Sequence, residues 1–146
     1  QPRLALEVEL TESMVMQNPA QALEVMREIK AMGVQVAIDD FGTGYSSLAQ
    51  LRHFPIDCLK IDRSFVERLP GEAKDRAIIQ AIVALGQSLH LRLVAEGVET
   101  STQHHCLARM GCHEGQGYLF GRPMPATALA AWLATREHSP GTPADH

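Results

Sequence analysis

The sequence predicts an α/β protein built from parallel βα units, and three observations predict it. Short apolar runs alternate with segments of helical periodicity along the chain. Asn, Gly and Pro punctuate the boundaries between them. Polar residues gather where the apolar runs stop. Two architectures fit this rhythm: an open doubly wound sheet, or part of a (β/α)8 barrel. No G-x-G-x-x-G follows the first run, which counts against a dinucleotide-binding sheet.

The elements follow in order. Leu4–Leu10 reads as a strand. Asn18 and Pro19 start a helix, an N-cap followed by proline at the first helical position; Leu23, Met26 and Ile29 continue it, and Gly33 closes it. Val34–Ile38 is a short apolar strand that stops at Asp39-Asp40. The glycine-rich turn Phe41-Gly42-Thr43-Gly44 leads to a short helix from Ser46 to about Arg52, punctuated by Pro55. Cys58–Ile61 is the third strand. A long helix spans Ala73 to Leu89, with Ile78, Ile79, Ile82, Val83, Leu85 and Leu89 as its buried face. Leu91–Ala95 is the fourth strand. Thr100 or Ser101 caps a helix that reaches Met110 and ends at Gly111. Gln116–Leu119 is the fifth strand, and Pro125 opens a last helix over Ala126–Thr135. Residues 1–137 form the folded portion, and the Pro-, Gly- and Ser-containing tail, 138–146, reads as disordered.

The 146 residues suit one domain, and 45% hydrophobic with 21% charged residues is ordinary for a globular chain with a real core. The net charge of −4 and the absence of a basic stripe speak against a DNA or RNA polymer as partner. An anionic ligand would need local help from cations or helix N-termini. Cys58, Cys106 and Cys112 are odd in number and form no C-x-x-C pair, so neither a disulfide framework nor a zinc site is indicated. Reduced thiols point to the cytoplasm. No apolar run is long enough to span a bilayer, so no membrane contact is expected from this segment. The chain opens on Gln1 rather than Met and reads as a fragment, whose parent is free to be membrane-anchored.

The chemistry sits at the strand ends. Glu9 ends the first strand, Asp39 and Asp40 follow the second, Lys60 is near the end of the third, Glu96 and Glu99 follow the fourth, and Gln116 is on the fifth. In barrels and open α/β sheets such residues converge on one mouth. Carboxylates gathered there repel one another unless cations sit between them. Hard oxygen ligands suit Mg²⁺ or Mn²⁺. Paired metals about 3.5–4 Å apart clamp the attacking and leaving oxygens of a phosphoryl transfer. Singly, each residue has a plainer reading. Asp40 alone is a helix N-cap, Glu12 a first-turn acid, Lys60 a solvated side chain, and Gly42 and Gly44 mark a tight turn. His104, His105 and His113 read as surface histidines. The joint pattern, one polar group per strand end, carries the functional reading.

These residues fall in motifs. Glu9–Ser13 resembles the ELTES motif, Asp39–Leu48 the DDFGTGYSSL loop, and Leu59–Asp62 the LKID motif of the EAL domain family. Glu96–Thr100 resembles its EGVET motif, and Gln116–Tyr118 with Pro123 its QGY-to-proline segment. The motifs stand in the family's order from Glu9 to Pro123. The resemblance implies a (β/α)8-type barrel that hydrolyses cyclic di-GMP to linear pGpG in bacterial signalling, with a two-metal Mg²⁺ or Mn²⁺ site. It implies that Glu9 is a ligand of the first metal, Asp39 the bridging ligand, and Asp40 and Glu96 ligands of the second, with Glu96 also a general base. Lys60 would hold the attacking water. Gln116 and Glu99 would position site or substrate. Glu12 would brace the DDFGTG loop, through which a homodimer is expected.

One departure is large. The family's Glu-Ala-Leu segment and an asparagine ligand lie on earlier strands and have no counterpart here. A closed barrel needs about 250 residues, so the chain matches strands four to eight of an incomplete barrel. His113 stands where an acid is usual. Two rivals remain open at this level: a cyclic di-GMP receptor or regulatory domain without turnover, and a metal-dependent barrel enzyme acting on carbon acids with Lys60 as base. An incomplete barrel leaves strand edges and inward apolar surface uncovered. The isolated 146-residue chain should therefore self-associate in light scattering and turn over cyclic di-GMP weakly or not at all in Mg²⁺ or Mn²⁺. A clean monomer working at the rate of an intact domain would contradict this.

Overall fold

The computed structural model describes residues 6–44 and 48–137. The start of the expected first strand, the Tyr45–Ser47 end of the glycine loop and the 138–146 tail lie outside the described residues. The strands are β1 (Glu7–Thr11), β2 (Gln35–Phe41), β3 (Cys58–Ile61), β4 (Arg92–Glu96) and β5 (Glu114–Gln116). The helices are α1 (Glu12–Gln17), α2 (Pro19–Ala31), α3 (Leu48–Leu51), α4 (Arg63–Val66), α5 (Ala73–Ser88), α6 (Ser101–Arg109) and α7 (Ala126–Glu137).

All four strand pairings are parallel, in the order β1-β2-β3-β4-β5. A doubly wound sheet reverses its strand order at a switch point. This one never does, so the chain is a segment of barrel-type winding, and among the described residues the barrel is not closed.

Strand residues directly opposite one another share a face, and the register sorts them cleanly. Val36, Ile38, Leu59, Ile61, Leu93 and Ala95 are buried on one face, where Val15, Met26, Ile79, Ile82, Val83 and Leu107 from the helices complete the core. The other face carries Glu7, Glu9, Gln35, Lys60, Arg92, Glu96, Glu114 and Gln116. Burying the apolar face costs nothing in unpaired polar groups. The polar face must satisfy itself. Arg92 does so at its amino-terminal edge. Its guanidinium donates to Glu7 Oε2 at 2.8 Å and Gln35 Oε1 at 3.3 Å and is ion-paired with Glu114 Oε2 at 3.0 Å, tying β4 to β1, β2 and β5.

Two short helices escaped the periodicity because one turn is too short to show a stripe. The Thr11 hydroxyl accepts from Met14 N–H at α1, and Asp62 accepts from Ser64 N–H at α4. The expected helix over Ser46–Arg52 appears as Leu48–Leu51 within the described part. The fifth strand is displaced. Glu114, Gly115 and Gln116 pair with Val94, Ala95 and Glu96, and the chain then turns instead of continuing to Leu119. The reason is Gly117. Its φ of 154° carries the chain against Val98, whose backbone oxygen and nitrogen would stand 2.3 and 2.4 Å from any Cβ. Val98 in turn donates to Gln116 O and accepts from Leu119 N–H, both at 3.0 Å. Backbone cannot move aside as a flexible side chain would. Gly117→Ala should therefore lower unfolding stability by roughly 3 kcal/mol, read as a shifted urea midpoint at unchanged slope. A midpoint equal to the parent's would mean that the contact is not confining.

Candidate active site

The site begins with an irregularity in β2. In a strand, adjacent side chains point to opposite faces, so Asp39 and Asp40 ought not to meet. Ile38 pairs with Leu59, but Phe41 pairs with Ile61, so three steps on β2 oppose two on β3. This is a β-bulge. Asp40 absorbs it with φ 55°, a left-handed conformation that aspartate tolerates better than most residues. The Asp40 N–H donates to Asp39 Oδ1 at 2.8 Å. The result brings one carboxylate oxygen each from Asp39, Asp40 and Glu96 within 4.8 Å of one another.

The loop after the bulge is braced from below. Glu12 is 1% exposed, and its Oε2 accepts from Gly42 N–H at 3.0 Å and Gly44 N–H at 3.1 Å. Gly42, at φ 98°, leaves no room for a Cβ against Phe65.

Lys60 is 3% exposed at the centre of the cluster and is ion-paired to Glu9 Oε1. Burial works against its charge, but the bond to Glu9 and the fields of Glu96 and Asp39 outweigh it and raise its pKa. Burial likewise opposes ionisation of Asp39, yet the shared bond with Glu96, the Asp40 N–H, Lys60 and Glu9 together hold its carboxyl below the usual range. Glu96 takes the opposite share of that pair. Burial first, then the bond to and charge of Asp39, push it up to about 8. Asp40 is raised by burial and by its neighbours Asp39 and Asp62.

Of the residues expected at the site, Glu9, Asp39, Asp40, Lys60 and Glu96 come together. Gln116 is exposed and lines the same cavity of about 540 Å³ as Glu9 and Lys60. Glu99 is exposed, and only its backbone N–H has a described role, donating to Gln103 Oε1 at 2.9 Å. His104 stacks edge-on against Phe120, and none of His104, His105 and His113 joins a metal-type cluster among the described residues. Two residues went unassigned from sequence. Asp62 both caps α4 and, as a neighbouring acid, raises the pKa of the Asp40 carboxyl, and its position just past β3 was the available signal. Arg92 gave none, because its three partners are far away along the chain.

The donor set fits a divalent cation. It is all oxygen, three of its carboxylates converge, and Glu96 Oε1 is buried with no hydrogen-bond partner. A buried acceptor left unpaired is an acceptor waiting for a cation or a proton.

Parallel barrel-type winding with carboxylates and a buried lysine at the strand ends defines a barrel-type α/β protein whose polar residues meet at one mouth. The sequence profile of the EAL domain matches residues 1–123, and the chain belongs to the EAL domain family. It is 51% identical over 127 residues to the bifunctional diguanylate cyclase/cyclic di-GMP phosphodiesterase MucR of Pseudomonas aeruginosa, spanning 87% of this chain and 18% of that protein. It is 46% identical to the cyclic di-GMP phosphodiesterase PdeR of Escherichia coli, across 87% of this chain and 19% of that one. Among solved structures, it superposes on the PaMucR phosphodiesterase–c-di-GMP complex with a TM-score of 0.81 at 52% identity, covering 85% of this chain and 50% of that one. It also superposes on a manganese/cyclic di-GMP complex of Klebsiella pneumoniae BlrP1 with a TM-score of 0.74 at 36% identity, covering 80% and 30% respectively. The chain thus spans under a fifth of the length of these curated relatives.

The raised Glu96 carboxyl makes stability depend on pH. Between its ordinary 4.5 and about 8, the folded chain holds a proton that the unfolded chain has released. Stability therefore falls as pH rises through that window, and Asp40 adds in the same direction. In cation-free buffer the thermal midpoint should decline from about pH 5 to about pH 8, and Glu96→Gln should flatten the decline. Added Mn²⁺ should restore the midpoint at the alkaline end, since it binds the ionised carboxylates. An equal slope in the Glu96→Gln variant would refute the assignment.

Proposed function

We propose that this chain is the catalytic-face portion of a cyclic di-GMP phosphodiesterase, hydrolysing the cyclic dinucleotide to linear pGpG in bacterial second-messenger signalling. The observation that carries it is the convergence of Asp39, Asp40 and Glu96 beside a buried Lys60, in a chain whose relatives are named cyclic di-GMP phosphodiesterases. Mg²⁺ or Mn²⁺ would be held by Glu9, Asp39, Asp40 and Glu96, with Asp39 shared. When bound, the cations supply charge neutralisation and polarisation of the phosphoryl oxygens. The protein's own groups do the rest. The Lys60 ammonium, kept protonated, orients the attacking water and offsets the developing negative charge. Glu96, ionised once the cations are held, accepts a proton from that water. Gln116 lines the cavity where the nucleotide enters, and Glu99 stands after the same strand as Glu96. Glu12 fixes the position of the DDFGTG loop by holding two of its amides, and pairing of two copies through that loop belongs to the same proposal, as does a cytoplasmic setting. No helix among the described residues is long and apolar enough to cross a membrane.

The carbon-acid reading asks Lys60 to act as a base. Its surroundings hold the proton on it, which disfavours that role.

The test uses a longer EAL domain that includes this chain and the strands before it. Asp39→Ala should abolish turnover, and Lys60→Ala should lower kcat with little change in KM, since the lysine acts on the attacking water. Both variants should leave binding of cyclic di-GMP measurable. A wild-type domain that binds cyclic di-GMP without turnover would make it a receptor. Near-normal turnover by Asp39→Ala would remove the two-metal account.

A further inference from the structure

A second cavity lies on the outer, helical side of the sheet. It runs between the first half of α5 and the length of α6 and encloses about 690 Å³, more than the cavity beside Glu9 and Lys60. α5 joins β3 to β4 and α6 joins β4 to β5, so the groove lies between neighbouring βα units of the described sheet.

Its lining is selective in charge. Arg76 comes from α5, and His105 and Arg109 from α6. No carboxylate contributes, although the chain carries 17 Asp and Glu against 13 Lys and Arg. Along α6, Ser101, His105 and Arg109 follow at i, i+4 and i+8, which sets them on one face over about 12 Å of helix. The Arg76 guanidinium is held in place, donating through Nη1 to Pro70 O at 2.8 Å and Gly71 O at 2.7 Å, which leaves its other N–H groups to a ligand. Arg109 takes part in no ion pair among the described residues. The adjacent acid, Asp75, is engaged by Arg68 and by Glu72 N–H. Pro70, Cys106 and Met110 add apolar surface between the cationic groups.

We propose that this groove binds a small organic phosphate of nucleotide size, outside the carboxylate mouth. The guanidiniums of Arg76 and Arg109, whose planar forks match phosphate oxygens, supply the positive charge of the groove. The hydroxyls of Ser101 and Thr102 and the Gln80 amide provide further hydrogen bonds. The uncharged remainder of the ligand rests on Pro70, Cys106 and Met110. The volume falls in the range of ordinary small-molecule sites.

The experiment is calorimetric titration of the longer EAL domain that includes this chain with GMP in EDTA, where the carboxylate cluster has no cation with which to attract phosphate. Saturable binding at one site is expected, displaced by inorganic phosphate. Arg109→Ala, which breaks no described ion pair, should weaken it by about tenfold or more. Arg76→Ala should do the same, with circular dichroism confirming the fold of each variant. Asp39→Asn should leave it unchanged, which separates this site from the proposed phosphodiesterase site. Three results would overturn the assignment: no saturable binding, equal binding in folded Arg76→Ala and Arg109→Ala variants, or loss of binding in Asp39→Asn.

Discussion

A single ammonium holds the polar face of this sheet together. Lys60 is buried among Glu9, Asp39 and Glu96, where its charge compensates carboxylates that would otherwise repel one another. Desolvating a lysine is costly, and here the cost is offset only because several acids surround it. The acids in turn tolerate proximity only by dividing their protons, with Asp39 ionised and Glu96 protonated. The arrangement is self-consistent without a cation and better satisfied with one, since Glu96 Oε1 has no partner of its own. A cation beside these acids would balance the charge that burial and mutual repulsion now suppress.

The bulge in β2 is what makes that cluster possible. Regular alternation would send Asp40 toward the helices, into a core of Leu, Ile and Val. One extra residue and one left-handed φ turn it toward Asp39 and Glu96 instead. The strained segment is held at both ends. Upstream, β2 pairs regularly with β1; downstream, the Glu12 carboxylate binds the Gly42 and Gly44 amides. Strain at a functional site persists only where its surroundings over-determine it, and Glu12 supplies that determination from the first residue of α1. The bulged end of β2 is therefore coupled to the first helix through one buried carboxylate.

Arg92 performs a related task at the opposite edge of the polar face. By tying β4 to Glu7, Gln35 and Glu114, it fixes the spacing of the outer strands beneath Glu9 and Gln116. The polar face is thus cross-linked at two levels, by an arginine near the strand starts and a lysine near the strand ends.

Much of this was legible in the sequence, and the boundary is physical. Alternation of apolar runs and helical stripes determined parallel βα units, because burial on one face writes its period directly into the residue types. The placement of Glu9, Asp39, Asp40, Lys60 and Glu96 at strand ends determined one mouth, because parallel strands deliver their ends to the same side. The capped helices α2 and α6 were readable from Asn18-Pro19 and from Thr100, whose signals are local. What acts between distant residues was not. Strand order decided for barrel-type winding over a doubly wound sheet, and pairing exists only after the chain folds. The fifth strand ends at Gln116 because Val98 backbone closes on Gly117, a contact across 19 residues that no local pattern encodes. The convergence of Asp40 with Asp39 rests on a register shift against β3, and the Arg92 fork and the α5–α6 groove draw on residues far apart in sequence. Local propensity and periodicity specify elements and their faces; only tertiary packing sets the register and close approach that turn adjacent aspartates and scattered arginines into sites.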